Sequence, residues 1–195
     1  MPIEKLSAYF EQYLALDDAE NADLAQRVSH RKLKRRQLLL QEGDVCRHYN
    51  FVVEGCFKMY GVDKKGVEHN IQFAAENDWI MDIGSFYTEK PSKLFIEALE
   101  PSTIIRIEKQ DLLHFFVNYP KFDRNFRVII EDKFVALQTR VLQNISSTAE
   151  ERYQSFLAQY PTLSQRIPNT QIASYLGITP EFLSTIRKNL ATKKA

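Results

Sequence analysis

The stretch PEFLSTIRK, residues 180–188, sets Glu181, Ser184, Thr185 and Lys188 at helical spacing. On a helix these side chains share an outward side with Pro180, and small or polar groups there let a helix enter the DNA major groove. Glu181 suits a cytosine amino group, and Ser184 and Thr185 suit bases or phosphates. Arg187, Lys188, Lys193 and Lys194 suit phosphates. The remaining reactive residues form no constellation. His30, His48, His69 and His114 are scattered and offer no HxH start for a cupin-type metal site. Cys46 and Cys56 stand ten apart without a CxxC and read as buried free thiols. No Ser-His-Asp, Cys-His or P-loop arrangement appears, so the chain reads as a binding protein and not as an enzyme.

The elements that must hold those side chains can be counted out. With Asn169 as the first of twenty positions, the fifth is Ala173, small enough for two helices to cross closely. The ninth is Gly177, which tolerates a positive φ. Ile172, Leu176, Ile178, Leu183 and Ile186 fill the apolar positions where the helices face one another and the rest of their domain. Thr179 supplies an N-cap oxygen and Pro180 a preset φ at the first helical position. All these are packing conditions, so a helical hairpin without a DNA partner also satisfies them, and only the outward residues favour a helix-turn-helix.

A chain of 195 residues with 44% hydrophobic content can bury a sizeable core. No stretch approaches the roughly 18 apolar residues of a membrane span. The opening MPIEKLSAYFEQYL lacks a signal-peptide pattern, so the expected location is cytoplasmic, with no membrane partner. The net charge is +1, yet the last 30 residues hold Arg166, Arg187, Lys188, Lys193 and Lys194 against Glu181 alone. A second basic run, RKLKRR at 31–36, reads as a solvated face.

Helical spacing over residues 4–29 predicts short helices. Between 37 and 108 come LLL, YNFVV, CFKMYGV, HNIQFA, WIMDI, LFIEAL and TIIRI, divided by turn signals such as EGD, DKKG and EKPS. These predict a small antiparallel barrel or roll. KQDLLHFFVNYP restores the helical period, and Pro120 opens a longer helix. Its seam of Phe126, Ile130, Phe134 (or Lys133), Leu137, Val141 and Ile145 (or Asn144) suits a two-stranded coiled coil across a dimer axis, or packing on the roll. Phe is bulky for a tight coil, so some of those rings suit the roll better.

A roll with EGD and EG turns (Gly43, Asp44, Gly55), a hairpin glycine at Gly66, a long helix and a terminal helix-turn-helix together resemble the Crp/Fnr transcription regulators. The resemblance covers nearly the whole chain. It implies an α+β fold: an N-terminal antiparallel β-roll of the cyclic-nucleotide-binding, double-stranded jelly-roll kind with flanking helices over 1–118. A dimerisation helix over 119–146 and an all-α helix-turn-helix domain over 147–195 follow. It further implies a homodimer whose roll senses a signal and whose recognition helices read a roughly palindromic site on double-stranded DNA, with RNA polymerase as another partner.

The departures from the family pattern bear on mechanism. Its cyclic-nucleotide binders carry a Gly-Glu pair, with the acid on the ribose hydroxyl. About ten residues later an Arg with Ser or Thr holds the cyclic phosphate. Ungapped alignment through IEALEPS puts Met81 and Asp82 at the first pair and Ser92 and Lys93 at the second, so the phosphate arginine is missing. This argues against cyclic AMP and for another small effector, or none. Trp79, Asp82, Phe86, Tyr87, Ser92 and Lys93 mark the candidate pocket, and core aromatics are the plainer reading of its rings. Two cysteines cannot hold an iron-sulfur cluster, and His48 and His69 are haem candidates only in principle. No cofactor is called for. Recognition-helix arginines common in the family are replaced by Pro180 and Thr185, and TKKA leaves no residues for a β-wing, which implies fewer phosphate contacts and modest affinity. A degenerate sensor or ligand-binding module without sequence-specific DNA binding is the alternative.

Overall fold

The computed structural model describes residues 2–194, the side chains of 193 and 194 excepted. Helices α1 (Pro2–Glu11) and α2 (Asp18–Arg27) precede strands β1 (Val28–Leu33), β2 (Leu38–Leu40), β3 (His48–Glu54), β4 (Phe57–Val62), β5 (Glu68–Ala74) and β6 (Trp79–Ile80). Helix α3 (Ile83–Thr88), strands β7 (Phe95–Ala98) and β8 (Ser102–Glu108), and helices α4 (Lys109–Asn118) and α5 (Pro120–Ser146) follow. The chain ends in α6 (Ala149–Gln159), α7 (Leu163–Arg166), α8 (Asn169–Leu176) and α9 (Pro180–Lys194). It divides into two units, residues 1–61 with 72–132, and residues 62–71 with 133–195. The division between the two units falls inside α5.

The strands form two four-stranded sheets, ordered β1-β8-β3-β6 and β2-β7-β4-β5. Strand alternation gives the first sheet two different faces. Tyr49 stands opposite Ile107 and Phe51 opposite Ile105, and this face is buried. It packs with Phe10 of α1, Trp79 and Phe126 of α5, whose ring centroids lie 5.1–6.4 Å apart along the chain of contacts Phe51–Trp79, Trp79–Phe126 and Phe10–Trp79. The other face carries Asn50, Val52, Ile104 and Arg106, with Arg31 opposite Ile104. Gly55 closes the turn after β3: with φ +97, a Cβ there would stand 2.1 Å from Ser102 Oγ. The loop after α1 is fixed by the buried Asn125, which accepts from Leu14 N at 3.0 Å and donates to Leu14 O at 2.9 Å.

Two local expectations fail for identifiable reasons. Residues 28–33 form strand β1, because Val28 adopts an extended C-cap (φ -92, ψ 150) and the charged run then alternates across the sheet edge. WIMDI is strand only at Trp79–Ile80, because Asp82 accepts from Ser85 N at 3.1 Å and starts α3.

The second unit is helical. Thr148 and Glu151 form a capping box at the start of α6. Tyr153, Phe156, Leu163, Ile167, Tyr175 and the helix-turn-helix apolar residues supply its core. The tip 62–71 belongs to this unit: Asn70 Nδ2 donates to Gln171 O and Oε1, both at 2.9 Å, and Ser174 Oγ donates to Glu68 O at 2.8 Å. Arg140 lies 4.0 Å over the Tyr175 ring and donates to the carbonyls of Asn70, Ile71 and Tyr175.

Candidate functional site

Helix α8 ends at Gly177, which sits at φ 67, ψ 36. Ile178 N reaches back to Ala173 O at 3.0 Å, the 6→1 bond of a Schellman closure. Thr179 Oγ1 then accepts from Phe182 N at 3.2 Å, and α9 starts at Pro180. Ile172, Ala173, Leu176, Leu183 and Ile186 are buried and Ile178 is half-buried. A Cβ at Gly177 would meet nothing within 4 Å, so only backbone conformation opposes substitution. Gly177→Ala should cost about 1–2 kcal/mol, and Gly177→Asn, which tolerates the left-handed region, less. Denaturant unfolding of the two variants checks the order.

The outer side of α9 exposes Glu181, Ser184, Thr185, Arg187 and Lys188. Thr179 is also exposed, and Pro180 is half-buried. Ser184 Oγ donates to Pro180 O at 2.9 Å and Thr185 Oγ1 to Glu181 O at 3.1 Å. Their protons are thus spent within the helix and their oxygens face outward as acceptors. Arg187 donates to Asn169 Oδ1 of α8, which ties the two helices together. Phe182, 50% exposed, is an apolar group on this side that periodicity assigned to no role. The side chains of Lys193 and Lys194 lie outside the described residues.

The α5 seam splits. Phe126 is 1% exposed and packs on Phe10, Tyr49, Trp79 and Phe116, so its ring covers the roll, which corrects its assignment to a dimer face. Ile130 is half-buried in the same unit. In the second unit Phe134, Leu137, Val141 and Ile145 are all exposed, and Val135 and Leu142, which the seam omitted, widen the stripe. Arg140 and Gln143 hold the opposite side of that helix segment, where Arg140 meets Tyr175 and Gln143 donates to Ser155 Oγ at 3.0 Å.

Within the roll unit the six candidate pocket residues take other places. Trp79 and Phe86 are core rings, each 1% exposed. Tyr87 and Lys93 face solvent. Ser92 Oγ donates to Asp82 Oδ2 at 2.7 Å, while Asp82 Oδ1 caps α3. None of the six lines the cavity of about 390 Å³ between the sheets, whose polar walls come from Arg31, Asp44, Arg47, His48, Asn50 and Arg106. Sequence reasoning missed these, although Arg106 inside the apolar run TIIRI was a readable signal. Burial, with Arg106 and Arg31 adding to it against an opposing Glu108, lowers the His48 pKa from its usual range, so the ring is neutral at pH 7. Cys46 and Cys56 are buried free thiols, and burial pushes the Cys46 thiol up. The described residues contain no cluster of metal-ligating side chains and no helix long and apolar enough to cross a membrane.

Residues 30–119 match the family model of the cyclic nucleotide-binding domain. "Probable transcriptional regulator flp" of Lacticaseibacillus casei is 23% identical over 173 residues, covering 86% of this chain and 78% of that protein. FixK2 from Bradyrhizobium japonicum has a similar structure, with a TM-score of 0.75 at 17% identity over 86% of each chain. A transcriptional regulator of the Crp/Fnr family from Eubacterium rectale gives 0.69 at 15% identity, over 95% of this chain and 88% of that one. Residues 30–119 thus match a cyclic nucleotide-binding domain, and the fold is similar to that of these regulators. The Crp/Fnr phosphate cassette, however, does not fit a cyclic nucleotide here. The two aligned positions, Asp82 and Ser92, bond to each other, Lys93 is exposed, and no arginine occurs between 79 and 96.

Proposed function

We propose that this chain is a Crp/Fnr-type transcription regulator that binds an inverted repeat in double-stranded DNA as a homodimer, under control of a small effector in the roll. The observation that carries this is the α8–Gly177–α9 hairpin, whose exposed side offers Glu181, Ser184, Thr185 and Lys188 to a groove. The exposed apolar stripe from Phe134 to Ile145 supports pairing of two copies through α5. Three outward groups of α9 are acceptors: the Glu181 carboxylate and the Ser184 and Thr185 oxygens. Major-groove donors are the adenine and cytosine amino groups. The half-site should therefore carry A or C where these side chains reach. Selection of bound sequences from a random DNA pool by the purified protein, at low salt and without added ligand, tests this. The expected product is an inverted repeat with half-sites about one helical turn apart. No enrichment, with and without cell extract, would overturn the reading.

A further inference from the structure

The cations inside the roll have no role in the DNA-binding side of this reading. By register Arg31 of β1 stands opposite Ile104, and Arg106, two residues along β8 on the same face, stands opposite Asn50 of β3. That face looks toward the second sheet, whose Leu40 and Ile96 form the apolar wall of the cavity, and Arg47 sits in the loop before β3. We propose that this cavity binds a small oxyanion of charge about −2, a phosphate monoester or a dicarboxylate, gripped by the guanidiniums of Arg31 and Arg106 with Arg47 at the mouth.

Charge balance supports the class. Among the lining residues, three guanidiniums and a neutral His48 face one carboxylate, Asp44, an excess of two positive charges; outside the lining, exposed Glu89 acts on Arg47 and Glu108 on Arg106. Glu108, 3.6 Å from His48, is half exposed and outside the cavity wall. Like charges drawn into a half-buried space destabilise one another, and burial together with Arg31 lowers the Arg106 pKa from its ordinary value. A fold keeps such a cluster at a cost unless a counter-charge occupies it. Guanidinium forks match the paired oxygens of phosphate and carboxylate. Of the buried side-chain atoms without a hydrogen-bond partner, two belong to residues lining this cavity: Arg106 Nε, a donor, and Asn50 Oδ1, an acceptor. The Asn50 amide nitrogen already donates to His48 O and Ile80 O, which fixes the oxygen as the free atom. It calls for a donor, as a hydroxyl on the ligand would supply. The volume suits a small metabolite.

The inference rests on the effector part of the proposed function, and its test involves no DNA. The full chain is titrated with inorganic phosphate and with malate by calorimetry, at ionic strength held constant with potassium chloride. Saturable one-to-one binding of at least one is expected, and which one binds separates the two sources of the oxyanion. Arg31→Gln and Arg106→Gln should each weaken it at least tenfold, since one charge-assisted hydrogen bond contributes about 1.5–3 kcal/mol. Lys34→Gln, the same charge change on an exposed residue, should leave it unaltered. Without ligand, Arg106→Gln should melt no lower than the parent because repulsion is relieved, whereas a purely structural arginine would lower the melting temperature. Should Arg106→Gln fail to fold, Arg31→Gln at the edge strand decides. No saturable binding of either anion, or binding undiminished in the arginine variants, overturns the proposal. A protein that binds the anion but no DNA would keep this inference and sink the operator reading.

Discussion

Replacing Thr185 and Lys188 together with glutamate should reduce operator affinity by at least two orders of magnitude while leaving the fold intact. Both side chains are exposed on α9, and Leu183 and Ile186 alone among the residues from 183 to 188 enter the core. The change reverses one positive charge and adds one negative charge at a surface meant to lie against phosphates. A lost phosphate contact lowers affinity for all sequences and reduces the salt slope by about one. A lost base contact costs about 1–3 kcal/mol at one position. The two effects separate if Lys188→Gln and Thr185→Ala are titrated against selected and scrambled DNA: the first should weaken both, the second mainly the selected site. Thermal melting of the double variant should match the parent. Unchanged affinity would remove α9 from the interface and leave the degenerate-sensor alternative.

That hairpin is the part of the molecule most legible in the sequence, because its conditions are local. Gly177 must take a positive φ, Thr179 must cap, Pro180 must start a helix, and each residue type admits few other uses. The roll strands were legible for a related reason: each short apolar run between turn signals can bury a face only by pairing. What failed was longer in range. RKLKRR reads as solvated until β8 is known to lie beside it, when alternation sends Arg31 inward and Lys32 outward. Asp82 and Ser92, assigned to a candidate pocket by the family spacing, bond to each other directly and do not line the cavity. The cations that line the cavity come from β1, β8 and the loop before β3, segments that no spacing within the cassette connects. Arg106 between buried isoleucines was the visible trace of that arrangement.

The same contrast between local pattern and tertiary context predicts opposite behaviour for two members of one seam. Phe126→Ala should cost about 3–5 kcal/mol of stability, because its ring is surrounded by Phe10, Tyr49, Trp79 and Phe116 in a packed cluster that cannot collapse into the space. Urea unfolding of the chain, read at two protein concentrations, should show that loss at both. Val141→Glu lies on the exposed stripe, where a single copy of the chain tolerates a charge. If two copies pair there, the glutamates become buried and unpaired across the axis, and dissociation should rise by a hundredfold or more, matching the roughly 3–5 kcal/mol expected for an uncompensated buried charge. Sedimentation should then find a monomer where the parent is a dimer, and unfolding of the parent alone should depend on concentration. A Val141→Glu protein of unchanged mass would exclude this stripe as the contact between copies, and the inverted-repeat geometry would need another axis.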